Sequence, residues 1–368
     1  MSTLSPDFPC IAQSQAWFAR ARQRIPCGTQ MLAKGPQQHS FGVAPIFLAR
    51  GRGARVWDVD GTCFVDLTMA MGPVSLGYGY PRIDQALNEQ LKQGINFTLL
   101  HTSEVEVAEL FHRLVPGAEC VRYAKSGAEA ASAAVRLARA HTGRDKVLCA
   151  GYHGWHDWYI GCTDRHRGVP QAVRQLTEKF PYGDLDALAA KLTDEVACVI
   201  MEPVVFQAPP PGYLEEVKAL CHARGALLVF DEIWTGFRIA LGGAQSHFGV
   251  TADLATFSKA CANGMPISVL AGREEVMRTL EADDVFFFST FAGEALSLVA
   301  TRETLLEMQA HDVPAQVSAR CAQLRDGYNR IAAELGLDCT RAVGLDYRSM
   351  VQFDAKAGDP LQLKTFVQ

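Results

Sequence analysis

The chain has 368 residues, 48% of them hydrophobic and 20% charged, with 35 basic and 40 acidic side chains. At about 150 residues per domain this is enough for two domains with sizeable cores, and the composition excludes wholesale disorder. A net charge of −5 gives no electrostatic reason for a nucleic-acid partner, and no apolar run is long enough to span a bilayer.

The start, Met1 to Ala12, has no basic residue and no long apolar stretch, so no secretory signal is expected. Residues Gln13 to Arg24 read as a short amphipathic helix that ends near Ile25-Pro26-Cys27-Gly28, where Pro and Gly break it. Phe47 to Leu67 reads as a meander of short strands. Its expected turns are Arg50-Gly51-Arg52-Gly53 and Asp58-Val59-Asp60-Gly61, the second with an Asp-Gly hairpin signal. From about Ser75, helical stretches alternate with strands rich in Val, Ile and Leu. Tyr123-Ala124-Lys125 leads into Ser126-Gly127-Ala128-Glu129 and an Ala-rich helix to about His141.

Four later strands share one form. Lys146-Val147-Leu148-Cys149 leads to Gly151-Tyr152-His153, and Ala197 to Met201 ends at Glu202. Ala226 to Phe230 ends at Asp231-Glu232, and Leu254 to Phe257 at Ser258-Lys259. Continuous apolar runs separated by helices predict parallel strands buried on both faces. Their carboxyl ends form the edge where open α/β sheets bind ligands.

That rim carries chemistry. Ser126 can cap its helix, Gly127 lets backbone approach a ligand, and the helix amino end favours an anion; an ordinary capped helix reads the same way. The pattern is not a GxxxxGK[ST] loop, so it does not point to nucleotide triphosphates. A desolvated Lys259 has a depressed pKa and an amine able to form a Schiff base; the alternative is a lysine snorkelling out of the core. Asp231 could hold a pyridinium nitrogen protonated or simply cap the next helix. Ile233 and Tyr152 could pack on the two faces of a flat ring or belong to the core. Together these are the parts that a pyridoxal phosphate pocket requires. His153 and His156 lie three apart without a third ligand, so no metal site is expected. The eleven cysteines, from Cys10 to Cys339 and without zinc or redox spacing, read as thiols in a reducing cytoplasm.

The same residues carry a resemblance. Asp231-Glu232-Ile233-Trp234-Thr235-Gly236-Phe237-Arg238, Gly242-Gly243-Ala244-Gln245, Phe248-Gly249-Val250 and Ser258-Lys259 to Gly264-Met265-Pro266 resemble class III aminotransferases. So do Ser126 to Ala130, Thr142 to Lys146, Tyr152-His153-Gly154, Met201-Glu202-Pro203 and Val56 to Gly61, in the same order. The nearest branch is that of glutamate-1-semialdehyde aminomutase. The likeness runs from roughly Arg22 to Val299.

The resemblance implies fold type I, with a large mostly parallel seven-stranded sheet domain sandwiched by helices and a small α+β domain built from both chain ends. The implied boundaries are 1–70, 71–310 and 311–368. Lys259 is implied to form the internal aldimine and shuttle the proton, Asp231 to pair with the pyridine nitrogen, Ile233 to pack under the ring and Tyr152 to stack above it. Ser126, Gly127 and Ala128 are implied to bind the phosphate. Glu202 and His153 resemble polar residues near the cofactor. Thr290 matches a threonine that reaches the phosphate of the neighbouring subunit, which implies a homodimer.

Departures from the aminomutase pattern cluster near its substrate. Ala70-Met71 replaces Ser-Trp, Phe291-Ala292-Gly293-Glu294 replaces Ser-Gly-Asn-Pro, and a short loop, Val204 to Ala208, follows Glu202-Pro203. With Phe286-Phe287-Phe288 and Trp155-His156-Asp157-Trp158, they suggest a different pocket. The expected function is a pyridoxal 5'-phosphate-dependent aminotransferase with a small-molecule amino donor and carbonyl acceptor. The alternatives are an intramolecular aminomutase and a cofactor-binding protein without turnover. Leu361 to Gln368 reads as the start of a helix in a shortened small domain, which predicts an open or partner-completed substrate side.

Overall fold

A computed structural model describes residues 8–39 and 42–354. The amino-terminal helix Ala12–Arg24 forms as expected. Its first N–H groups, on Gln13 and Ser14, donate to the Asp60 carboxylate at 2.8 and 3.0 Å. A turn acid thus caps a helix far from it in sequence. Strands β1 (Leu48–Arg52), β2 (Arg55–Asp58) and β3 (Cys63–Val65) make an antiparallel sheet.

The Asp58–Gly61 turn is where the sequence places it, with Asp58 Oδ1 accepting from Thr62 N at 2.7 Å. The first turn is not. Arg50 to Arg52 stay in β1, and the reversal falls at Gly53-Ala54. Gly51 is a strand residue because the Tyr78 ring lies against it; a Cβ there would sit 2.5 Å from the ring.

The large sheet comprises β4 (Cys120–Ala124), β5 (Lys146–Ala150), β6 (Thr177–Lys179), β7 (Val196–Met201), β8 (Leu227–Asp231), β9 (Leu254–Phe257) and β10 (Ser268–Gly272). Their spatial order is β4-β10-β9-β8-β7-β5-β6. The pairs among β6, β5, β7, β8 and β9 are parallel, and β10 runs antiparallel to both neighbours. This is the expected seven-stranded, mostly parallel sheet.

Every residue of β7 and β8 is buried, as helices on both faces require. One face meets the Ala-rich helix Gly127–Thr142 through Ala131, Ala134 and Leu137. The other packs Phe111, Leu188, Tyr213, Phe230 and Phe257. Small side chains let the first helix sit close, and the large ones fill the second layer.

Helices Ala295–His311 and Val313–Glu334 follow, joined at Asp312. They lead to the hairpin β11 (Thr340–Leu345) and β12 (Arg348–Phe353). The helix expected from Leu361 lies outside the described residues. Among the described residues no helix is long and apolar enough to cross a membrane.

Candidate active site

The carboxyl ends of β4, β5, β7, β8 and β9 lie on one rim, as their pairing requires. At the β4 end, Ser126 caps the helix Gly127–Thr142. Its Oγ accepts from Glu129 N at 3.3 Å, and Glu129 Oε2 accepts from Ser126 N at 2.7 Å and Lys125 N at 2.9 Å. Ser268 Oγ, at the start of β10, donates to Ser126 O at 2.8 Å and fixes the cap to the sheet. The N–H groups of Gly127 and Ala128 have no acceptor within the helix and sit at its positive end. Gly127 is required: a Cβ there would lie 2.7 Å from Ile233 Cδ1. Likewise Gly154, with φ 99°, admits the Ala128 methyl, 2.6 Å from where a Cβ would stand.

Asp231 closes β8 and is 2% exposed. Its Oδ2 accepts from His153 Nδ1 at 2.7 Å and its Oδ1 from Ile233 N at 3.1 Å. The carboxylate keeps unused lone pairs, so a ring N–H can be added to this set. His153 Nε2 is buried without a partner among the described residues. Glu202 follows β7, its Oε1 accepting from Tyr152 N at 3.0 Å.

Lys259 opens a short turn after β9 with φ 42°. Among the described residues its ammonium has no ion-pair partner. Burial pushes its pKa below the ordinary lysine value; Asp231 and Glu202 oppose that shift, and the Arg348 and Arg238 charges add to it. A half-buried amine without a counter-ion, a buried carboxylate with spare acceptor capacity and a glycine-lined helix end fit pyridoxal phosphate.

Two expected residues are exposed. Tyr152 is 65% exposed and follows β5, which β7 separates from β8. The side chain that crosses from that loop to Asp231 is His153. Thr290 is exposed in the loop before helix Ala295–His311, and its carbonyl accepts from Asn96 Nδ2 at 3.4 Å.

Two arginines join the site: Arg348 has no signal of its own in the sequence, and Arg238 ends the Asp231–Arg238 motif. Arg348, from β12, lies between the rings of Trp234 and Phe206, 4.3 Å from each centroid. Among the described residues its one hydrogen bond goes from Nη1 to Glu202 Oε2, at 3.3 Å. Arg238 stacks on Trp234 at 4.5 Å and donates through Nη2 to Gly72 O and through Nη1 to Met69 Sδ. Burial, with repulsion from Arg348, pushes the Arg238 pKa down to about 10.

The segment Met69, Ala70, Met71 and Gly72 has φ of 52°, 54°, 69° and 106°. Three successive non-glycine residues in the left-handed region are strained. Asp66 pins them, accepting from Thr68 N, Ala70 N and Tyr78 Oη at 2.7–2.9 Å. A Cβ on Gly72 would stand 3.4 Å from Lys259 Cδ, so this segment walls the lysine at the position where Ala70-Met71 departs from the aminomutase pattern.

The family model Aminotransferase class-III matches residues 37–347. A 3-aminobutyryl-CoA aminotransferase from Cloacimonas acidaminovorans is 38% identical over 337 residues, 89% of this chain and 80% of that one. A glutamate-1-semialdehyde 2,1-aminomutase from Roseiflexus castenholzii is 37% identical over 342 residues, 88% of this chain and 78% of that one. The FumI protein of Sphingopyxis sp. MTA144, solved in its PLP internal aldimine form, superposes with a TM-score of 0.87. It is 29% identical, over 93% of this chain and 83% of that one.

Proposed function

We propose how this chain, which belongs to the class III aminotransferases and is a pyridoxal-phosphate-dependent enzyme, uses its own residues for the reaction. Bound pyridoxal phosphate supplies an electron-withdrawing ring that takes up charge from the substrate carbon. Ser126 Oγ and the N–H groups of Gly127 and Ala128 hold its phosphate at the positive end of a helix. Asp231 holds the proton on the ring nitrogen, and His153 fixes the carboxylate's orientation. Ile233 packs one face of the ring and Tyr152 the other. Lys259 Nζ, whose pKa burial lowers from the ordinary lysine value, would be the nucleophile that attaches the cofactor and the base that carries the proton. The observation that carries this reading is Lys259, with no counter-ion among the described residues, beside the buried Asp231–His153 pair.

On the substrate side, Arg348 reads an anionic group of the amino donor. A guanidinium with one hydrogen bond and two aromatic walls has donors left for a carboxylate, and Glu202 holds it in place meanwhile. We propose transamination between two substrates in the cytoplasm, for a biosynthetic product. Intramolecular transfer, as named for the Roseiflexus relative, is the second reading. We also propose a homodimer in which Thr290 reaches the other subunit's phosphate site; Phe286, Phe288, Leu99 and Leu100, each at least 70% exposed, supply apolar surface for it.

Screening the holoenzyme against amino donors tests this. Transamination predicts that a donor changes the visible absorbance band and leaves a free oxo product in equal amount. Release of no product, with a rearranged amine instead, favours the aminomutase. A band that no donor changes favours a protein without turnover.

A further inference from the structure

We infer that Cys149 and Cys162 form an oxidation site, closed to a disulfide by a hydroperoxide and linked to the cofactor pocket through Tyr159. The Sγ atoms lie 3.7 Å apart, and among the eleven free cysteines no other thiol–thiol contact occurs within the described residues. Cys149 is fully buried in β5, under helix Gly127–Thr142. Cys162 follows the short helix Asp157–Ile160 and is part-exposed. The two therefore divide the work as an accessible attacking thiol and a buried resolving one.

The surroundings favour a thiolate at Cys162. Lys179 pairs with Cys149 across β5 and β6, and its ammonium stands 5.7 Å from the centre of the Tyr159 ring. His153 adds a weaker pull from the loop after β5. Asp157 and Tyr159 belong to the segment before Cys162, and Arg174 packs by the neighbouring Gly161. The hydrogen bond from Cys149 is the largest effect and, with Lys179, brings the Cys162 pKa down to about 7, while Cys149 is held well above the ordinary thiol value. A part-exposed thiol in electropositive surroundings is the reactive kind.

The chemistry balances. The Cys162 thiolate attacks the peroxide, the O–O bond breaks, and sulfenic acid and hydroxide form. The Cys149 sulfur then displaces that hydroxyl, its proton leaving as water. Two thiols are oxidised and one peroxide is reduced. The sulfurs must close from 3.7 Å to about 2.05 Å, and Cys162 gives up its 3.0 Å hydrogen bond to Tyr159 O. Tyr159 donates to Gly151 O at 2.8 Å and stands edge-on to His153, the partner of Asp231. Oxidation thus acts on the group that orients Asp231. The disulfide itself does not depend on the proposed reaction; only its effect on the cofactor does.

The test treats full-length holoenzyme with one equivalent of hydrogen peroxide, alkylates the remaining thiols and maps peptides by mass. A Cys149–Cys162 linked peptide, cleaved by dithiothreitol, should appear before exposed Cys10, Cys27 and Cys63 are oxidised. Its rate should rise about tenfold from pH 6 to pH 8, following the thiolate. In Cys149→Ala, Cys162 should persist as a sulfenic acid that dimedone traps. Oxidation of the exposed cysteines first, or no linked peptide, overturns the site. Cofactor release should accompany the disulfide in the wild type and be absent in Cys162→Ser; equal release from both overturns the link to the pocket.

Discussion

At the scale of single residues, the site places charges where water screens them poorly. The Lys259 pKa is lowered in the fold, so between its folded and unfolded values the unfolded chain binds more protons and stability rises with pH. The penalty is present at neutral pH and fades as pH approaches the ordinary value of 10.5. Lys259→Met in cofactor-free protein should therefore melt at a higher temperature than wild type near neutrality, with the gap closing toward pH 10.5; an unchanged gap in the melts counts against a desolvated lysine. His153 matters through Asp231. His153→Ala should lower kcat and, because it opens a cavity and leaves the buried Asp231 carboxylate without that partner, also lower the melting temperature; His153→Asn, which keeps a donor toward Asp231, should recover part of both. Arg348 is proposed to act in binding. Hydrogen bonds to charged groups are worth about 1.5–3 kcal/mol, so Arg348→Ala should raise KM for a carboxylate-bearing donor roughly 10- to 150-fold and leave kcat and uncharged amines little affected.

At the scale of elements, the helix Gly127–Thr142 joins stability to binding. Ser126→Ala removes a cap, at about 1 kcal/mol, and with it the phosphate contact proposed above. Denaturant titration should show the first loss, and a weaker pyridoxal phosphate affinity the second. Much of this was legible in sequence. β5, β7, β8 and β9 are continuous apolar runs, and a run buried on both faces leaves few other structures open. The Ser-Gly-Ala-Glu start of the helix contains its own capping box. What was not legible depends on partners distant in the chain. Gly51 looks like a turn glycine until Tyr78 is placed against it. Arg348 meets Glu202 at a sequence separation of 146, and no local pattern records that pairing. The hydrogen bond from His153 to Asp231 spans 78 positions and two strands of the sheet, and no local pattern records it either.

At the scale of the whole molecule, the sheet gathers five strand ends into one rim, and the carboxy-terminal hairpin returns Arg348 to it. Residues far apart in the chain become one pocket, which is why the isolated motifs are weak and their assembly is informative. The exposed Leu99, Leu100, Phe286 and Phe288 predict association: light scattering should give twice the chain mass for wild type and less for Phe286→Asp combined with Phe288→Asp. The central claim is that Lys259, and no other amine, attaches the cofactor. Reducing the pyridoxal phosphate-loaded protein with borohydride and mapping the modified peptide tests it directly. The account predicts a single label on Lys259 and none in Lys259→Ala; a label on another lysine, or a labelled Lys259→Ala protein, would contradict it.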